Sequence, residues 1–328
     1  MFDDVLYIIG NGFDRHHDVA SGYNSFRDWL ERHNRELFRV YSAVCDYDGL
    51  WSDFETGMAY INRDFFINAG AIALPDSKKD PDDYSMADYC LAGDFARETV
   101  DSFMSDLRYS FHDWIRSVKA PRTYESKKLM VDTEARFLTF NYTDFLETKY
   151  GIPRENIKYI HGIKYAKRGT LVVGHAEDSE ELYKSWYNRK GFSKPRYNKK
   201  GRKYYKRDDA WKAYNSERPE YSGIAEAAES YYDESRKPVQ EIIDKNLSYF
   251  RDLYDVRTIF VWGFSFNKVD IPYLKKIIEL SDYPEDIKWY VSYYSDEERS
   301  KFANILSEIG IDIAKQVKFR HLSDWQLS

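Results

Sequence analysis

Three features of the sequence predict a doubly wound α/β fold built on a mostly parallel, Rossmann-like sheet, with an added helical layer and a basic insertion. Val5–Ile9 is a continuous apolar, partly β-branched run, the pattern of a strand covered on both faces. It stops at Gly10-Asn11-Gly12 and then Asp14, which is how a phosphate- or ribose-facing turn begins. Short apolar runs then alternate with helical stretches through the second half of the chain, as a parallel sheet with crossover helices requires.

The elements follow in order. Tyr23–Val44 carries Phe26, Leu30, Leu37, Tyr41 and Val44 at helical spacing, and Trp51–Phe66 reads as a second helix. Residues 68–90 contain Pro75, Asp76, Lys78, Lys79, Asp80 and Pro81 and read as an exposed connection. Helical periodicity resumes over Phe95–Val118 through Phe103, Leu107, Phe111 and Ile115. Strands are expected at Phe137–Phe140, Ile157–Ile160, Leu171–Val173, Thr258–Trp262, Ile287–Ser292 and Val317–Phe319, with helices over 239–253, 268–280 and 296–308. No internal repeat is visible. The reading is one domain over residues 1–328, with a helical insertion at about 23–130 and a basic, aromatic insertion at about 178–236.

Composition narrows the function classes. Hydrophobic residues make up 43% of the 328 residues and aromatics 17%, including 29 Tyr, which suits a packed core and excludes a disordered chain. A net charge of −6 argues against the whole surface being a nucleic-acid binder. Cys45 and Cys90 are the only cysteines, so there is no disulfide framework and no zinc site of four thiolates. No stretch approaches the roughly 20 apolar residues of a membrane span. The acidic start at Asp3 and Asp4 lacks the basic region of a secretory signal, so the expected compartment is the cytoplasm.

The chemistry-bearing residues fall where strands end. Asn141 follows Phe137–Phe140, His161 and Gly162 follow Ile157–Ile160, and Gly174 and His175 follow Leu171–Val173. Gly263 and Ser265 follow Thr258–Trp262, with Asp270 near the start of the next helix. Each has a plainer reading beside the functional one. The glycine pair could be a tight turn, because a dinucleotide fingerprint would place a third glycine where Arg15 stands. Asn141 could cap a helix near Thr143, His161 and His175 could be satisfied core histidines, and Asp270 could serve the helix dipole. Their convergence on one rim of one sheet favours a nucleotide pocket, since independent caps and turns have no reason to gather there.

The set Ile8-Ile9-Gly10-Asn11-Gly12-Phe13-Asp14, Trp51 to Glu55, Thr139 to Asp144, Ile160-His161-Gly162, Gly174-His175 and Gly263 to Asp270 resembles the AbiH family of phage abortive-infection proteins. More distantly, the landmarks are similar to sirtuin-like NAD-cleaving domains of bacterial defence systems. That likeness implies that Gly10 and Gly12 contact the dinucleotide, Asn141 holds the nicotinamide ribose, His161 is a general base, and Gly263 with Ser265 contacts the adenosine half. Asn11 stands where those loops usually have a small residue, which bears on how a pyrophosphate is seated. Asp14 and Glu55 belong to the AbiH-like pattern. Their carboxylates could bind ribose hydroxyls or act in other chemistry, and Glu55 could equally be a structural acceptor beneath the loop. Asp144 and His175 complete the candidate set. The four-cysteine zinc module of sirtuin deacetylases is missing, so protein deacetylation is not expected.

The reaction implied by the resemblance is substitution at the anomeric carbon of the nicotinamide ribose of NAD. The positively charged nicotinamide leaves as a neutral amine and needs no protonation. Asn141 would orient a hydroxyl or water, and His161 would accept a proton, a role worth about 10²–10⁴-fold. Lys184–Arg207 carries eleven Lys or Arg and no acid, interleaved with Trp186, Tyr187, Phe192, Tyr197, Tyr204 and Tyr205. It reads either as a solvated insertion with a hairpin around residues 198–201 or as a platform for nucleic acid. Two other functions fit the sequence: a nucleotide-binding sensor acting through a partner defence protein, and a nuclease holding a metal on Asp14, Glu55 and Asp270. Self-association is compatible with each.

Overall fold

The central sheet follows from the apolar runs. In the computed structural model, which describes residues 4–74, 85–177, 196–197, 203–204 and 219–326, six strands pair in one all-parallel sheet. They are β1 (Val5–Ile9), β2 (Arg136–Thr139), β3 (Ile157–Tyr159), β6 (Thr258–Trp262), β7 (Lys288–Tyr293) and β8 (Val317–His321). Their spatial order is β3-β2-β1-β6-β7-β8. Counted among themselves, the six run third, second, first, fourth, fifth, sixth, the doubly wound Rossmann-like order whose direction of travel reverses between β1 and β6. The remaining strands, β4 (Arg196–Tyr197) and β5 (Lys203–Tyr204), form a separate antiparallel pair. The rest of the Lys184–Arg207 segment lies outside the described residues.

Register decides what meets at the rim. Ile9 is level with Thr139 on one side and Trp262 on the other, and Thr139 is level with Tyr159. The residues that follow these four positions therefore leave the sheet at one height, on the edge where a fold of this order receives ligands. Tyr7 stacks between Phe137 and Phe260 with both centroids 4.9 Å away, which locks the three central strands side by side.

Contacts divide the chain into two compact units, residues 1–29, 111–172 and 237–328, and residues 30–110 and 173–236. The first holds the sheet, with Leu6, Ile8, Val261, Leu274, Trp289 and Phe302 in its core. The second contains described helices and an aromatic core in which Tyr41 stacks on Phe54 and Phe103, and Phe66 stacks on Tyr231. Both segments read as insertions contribute to this second unit.

Several elements differ from the sequence expectation. Tyr23–Val44 is two helices, Tyr23–His33 and Arg35–Val44, because Asn34 leaves helical angles and its side chain caps the second by accepting the Leu37 N–H. Trp51–Phe66 likewise reduces to Phe54–Met58, capped by Asp53, and Asp64–Ala71. Residues 239–253 break at Asn246 into Val239–Lys245 and Leu247–Arg251. Helix Met86–Ser117 begins earlier than expected, where Ser85 and Asp88 exchange side-chain and backbone hydrogen bonds as a capping box. Leu171–Val173 is not a strand. The Val172 N–H donates to the His161 carbonyl and its C=O accepts from the Tyr142 hydroxyl, so its backbone groups are satisfied without a ladder. The glycine turn runs directly into a short helix, Asn11–His16.

Candidate functional site

The three glycines at the switch between β1 and β6 are required by one another. The Gly12 N–H donates to the Gly263 carbonyl at 2.8 Å and the Gly10 N–H to the Trp262 carbonyl at 3.0 Å. A Cβ on Gly12 would lie 2.7 Å from Gly263 Cα, and one on Gly263 would lie 2.0 Å from the Phe13 nitrogen, at a residue whose φ is already +62°. The loops after β1 and β6 thus pack backbone against backbone, and the amides that a pyrophosphate would use are already donating to protein carbonyls. Asn11 is also engaged: its amide donates to the Ser21 carbonyl at 3.0 Å and accepts from the Ser21 hydroxyl. Ser265 is exposed on the loop beyond. Ser292, at the end of β7, accepts the Gly263 N–H at 2.9 Å and so fixes this loop. Its small polar side chain at the end of the run Trp289-Tyr290-Val291 was the available signal.

Beside the glycines lies a buried carboxylate held by neutral donors. Asp14 accepts from Asn141 Nδ2 at 2.8 Å and from Thr143 Oγ1 at 2.5 Å. Burial pushes the Asp14 carboxyl up to about 6, the two hydrogen bonds pull it down, and nearby Asp144 adds to the rise. Asn141 Nδ2 also donates to the Gly10 carbonyl at 3.1 Å, tying the β2 loop to the β1 loop. Its other side-chain atom, Oδ1, is buried with no hydrogen-bond partner among the described residues. The capping alternative is excluded by geometry, because Asp144 occupies the N-cap of the helix Phe145–Tyr150 and Asn141 faces Asp14 instead. Thr143 figures in the sequence reading only as a possible helix start, although Thr139, Asn141 and Thr143 alternate along the chain.

Asp144 faces the other way, into a salt bridge with Lys164 at 2.8 Å and a hydrogen bond from the Tyr165 hydroxyl. Desolvation pushes this carboxyl up, but hydrogen bonds from Lys164 and Tyr165 and the Lys164 charge outweigh it, and the group sits below its ordinary range.

A second buried cluster surrounds His161. Its Nε2 lies 3.3 Å from the Tyr273 hydroxyl and 3.8 Å from Asp270 Oδ1, and its ring packs edge-on to Phe140. Lys237 Nζ stands 3.4 Å from the same Asp270 oxygen. Burial, reinforced by the Lys237 charge, drives the His161 imidazole well below its ordinary range, so it is neutral at pH 7. Asp270 occupies the N-cap of the helix Ile271–Leu280 without making a side-chain cap bond. Burial holds its carboxyl above the ordinary range, although the Lys237 charge and hydrogen bond pull against it. Neither Lys237 nor Tyr273 was foreseen, since both meet His161 only through long-range packing.

The plain histidine reading holds for His17. Its Nδ1 lies 2.7 Å from the Phe13 carbonyl and its Nε2 2.7 Å from the Tyr150 hydroxyl, and burial pushes it down to about 4.

Glu55 and His175 fall in the second unit. Glu55 is buried on the helix Phe54–Met58. His175 is buried with its backbone N–H donating to the Ser235 carbonyl at 3.1 Å, and burial pushes its ring down to about 4. Among the described residues no group of three or more His, Cys, Asp or Glu could hold a metal ion, and no helix is long and apolar enough to cross a membrane.

A family model described as "Bacteriophage abortive infection AbiH" matches residues 6–293, a span that includes every element of the rim from β1 to the end of β7. No curated protein and no solved structure matches the chain.

Proposed function

The chain belongs to the bacteriophage abortive-infection AbiH family, and from that premise we infer that its sheet rim binds NAD and cleaves the bond between nicotinamide and ribose. The observation that carries this reading is the Asn141 amide. One end is fixed by Gly10 and Asp14, while the other, Oδ1, is buried with no donor among the described residues. A buried acceptor left unpaired costs about 1–3 kcal/mol, and a ribose hydroxyl or a positioned water would satisfy it. Its place at the carboxyl end of β2, beside the switch between β1 and β6, is where a fold of this order takes a nucleotide.

The residues divide the work. Asn141 orients a hydroxyl without imposing charge on the reacting carbon, and Asp14 holds Asn141 in the required rotamer. As water adds to the anomeric carbon, the carbon–nitrogen bond breaks, the electron pair returns to the nicotinamide ring, and the water proton passes to the neutral His161. Its depressed basicity keeps the imidazole ready to accept at pH 7 but limits its strength as a base. Access of the pyrophosphate to the Gly12 amide requires the Gly263 carbonyl to withdraw.

One observation favours a second reading, a nucleotide-binding sensor without turnover: His161 is only 2% exposed, and Tyr273 already neighbours its Nε2. Nicotinamide release separates the two. Purified protein is incubated with NAD, with and without phage lysate, alongside His161→Ala. Release by wild type that the variant loses by about 10²-fold or more supports hydrolysis. NAD bound without release under every condition would support the sensor.

A further inference from the structure

The glycine loop raises a question that the rim itself answers: where the negative charge of a dinucleotide would be met. The Gly10 and Gly12 amides are already donating to carbonyls. On the far side of Thr143 from Asp14 lies a pocket of about 330 Å³, lined by Thr143 and Asp144 from the loop after β2, by Lys149, and by Lys119 and Lys164 from two other segments. Three lysines face one carboxylate. Lys164 is matched by Asp144 at 2.8 Å, leaving the ammonium groups of Lys119 and Lys149 with no ion pair among the described residues. Lys149 Nζ lies 5.1 Å from the ring centroid of Tyr124, which holds the cation without neutralising it.

The pocket is joined to the Asp14–Asn141 cluster and is already organised. Thr143 lines it, and the same hydroxyl donates to Asp14 at 2.5 Å. The backbone of Lys164 is held from both sides: its N–H donates to the Tyr142 carbonyl at 2.8 Å, and its carbonyl meets His112 Nε2 and Arg116 Nε, each at 3.1 Å. A cation so placed costs little further ordering when an anion arrives.

We propose that this lysine pocket is the phosphate subsite of the rim, and that Lys119 and Lys149 seat the pyrophosphate of the dinucleotide while Lys164, fixed on Asp144, sets the floor. The proposal rests on the NAD reading for the identity of its ligand. It places the phosphate charge beside Thr143 instead of on the glycine amides, so the closed contact between Gly12 and Gly263 does not obstruct binding.

The test is calorimetric binding of three probes, NAD, inorganic pyrophosphate and nicotinamide riboside, to wild type, Lys119→Ala/Lys149→Ala and Asn141→Ala, at low and high salt. Both lysines lie outside the core, so the double variant is expected to keep the wild-type melting temperature. Binding of NAD and of pyrophosphate should weaken about tenfold or more in the double variant, with a shallower salt dependence, while the riboside, which has no phosphate, is unaffected. Asn141→Ala should still bind pyrophosphate. Unchanged NAD affinity in the double variant, or no pyrophosphate binding to wild type, would overturn the subsite. If the lysines prove necessary for pyrophosphate yet NAD is never cleaved, the subsite stands and the hydrolase reading falls. If NAD is cleaved equally well by the double variant, the reverse holds.

Discussion

Asp14 and Asp270 are both buried carboxylates in the sheet-bearing unit and burial raises both, yet their partners differ in charge. Asp14 is surrounded by neutral donors, the Asn141 amide and the Thr143 hydroxyl, and no cation among the described residues pairs with it. Asp270 is matched by a buried ammonium, Lys237, at 3.4 Å. The first arrangement leaves a group poised to take a proton near pH 6, and the second sets a cation against the rise that burial causes, beside a neutral histidine. Burial raises both carboxyls; what differs is what opposes it, neutral hydrogen bonds at Asp14 and an ammonium at Asp270.

Removing a partner should break this contrast most severely at Asp270. Lys237→Met strands a buried carboxylate and is expected to cost about 3–5 kcal/mol in urea unfolding, with most of the loss recovered by adding Asp270→Asn. A loss that the second substitution does not repair would mean that Lys237 acts through packing instead of charge.

Asp14 should give a smaller effect that depends on pH. Its carboxyl is near 6 when folded against 3.8 for the free group, so the folded chain keeps this proton to higher pH than the unfolded chain. The group's contribution is therefore most favourable below pH 3.8 and declines as the pH rises to about 6. The shift corresponds to about 3 kcal/mol. Asp14→Asn abolishes that slope, so the stability of wild type relative to the variant should fall by about this amount between pH 4 and pH 7. His17, pushed down to about 4, contributes with the opposite sign by losing stability as pH falls, and it cancels in the difference because both proteins contain it. A difference independent of pH would contradict the neutral-donor description.

Asn141→Ala removes the bonds to Asp14 and the Gly10 carbonyl and should cost about 1–3 kcal/mol in chemical denaturation, with a further rise of the Asp14 carboxyl. The smallest effect is expected at the exposed pair of Arg168 and Asp113. There Arg168→Ala should cost less than about 1 kcal/mol, which sets the scale against which the buried pair is judged.

The comparison also separates what local sequence reveals from what packing alone supplies. The run into Gly10-Asn11-Gly12 correctly announced β1, and the loss of Cβ at two nearby positions has a local signature, read as room for a phosphate or ribose. It did not reveal that the approaching group is the backbone of Gly263, since register across the sheet supplies that contact. Asn141 and His161 were visible because strand ends are marked by the change from apolar to polar residues. Lys237 and Tyr273 were not, because a charge buried by tertiary contacts looks like any helix-flanking residue. Leu171–Val173 had the composition of a strand, yet hydrogen bonds to His161 and Tyr142 satisfy it as a loop. The breaks at Asn34 and Asn246 show the same limit from the other side, since apolar periodicity continues through a residue whose backbone departs from the helix.

The most direct test of the account compares nicotinamide release from NAD by wild type, Asn141→Ala and Asp14→Asn under identical conditions. The Asp14–Asn141 cluster as the reacting edge predicts release by wild type, loss in Asn141→Ala, and a clear reduction in Asp14→Asn, where the rotamer of Asn141 is no longer fixed. Release that persists unchanged in Asn141→Ala would contradict it.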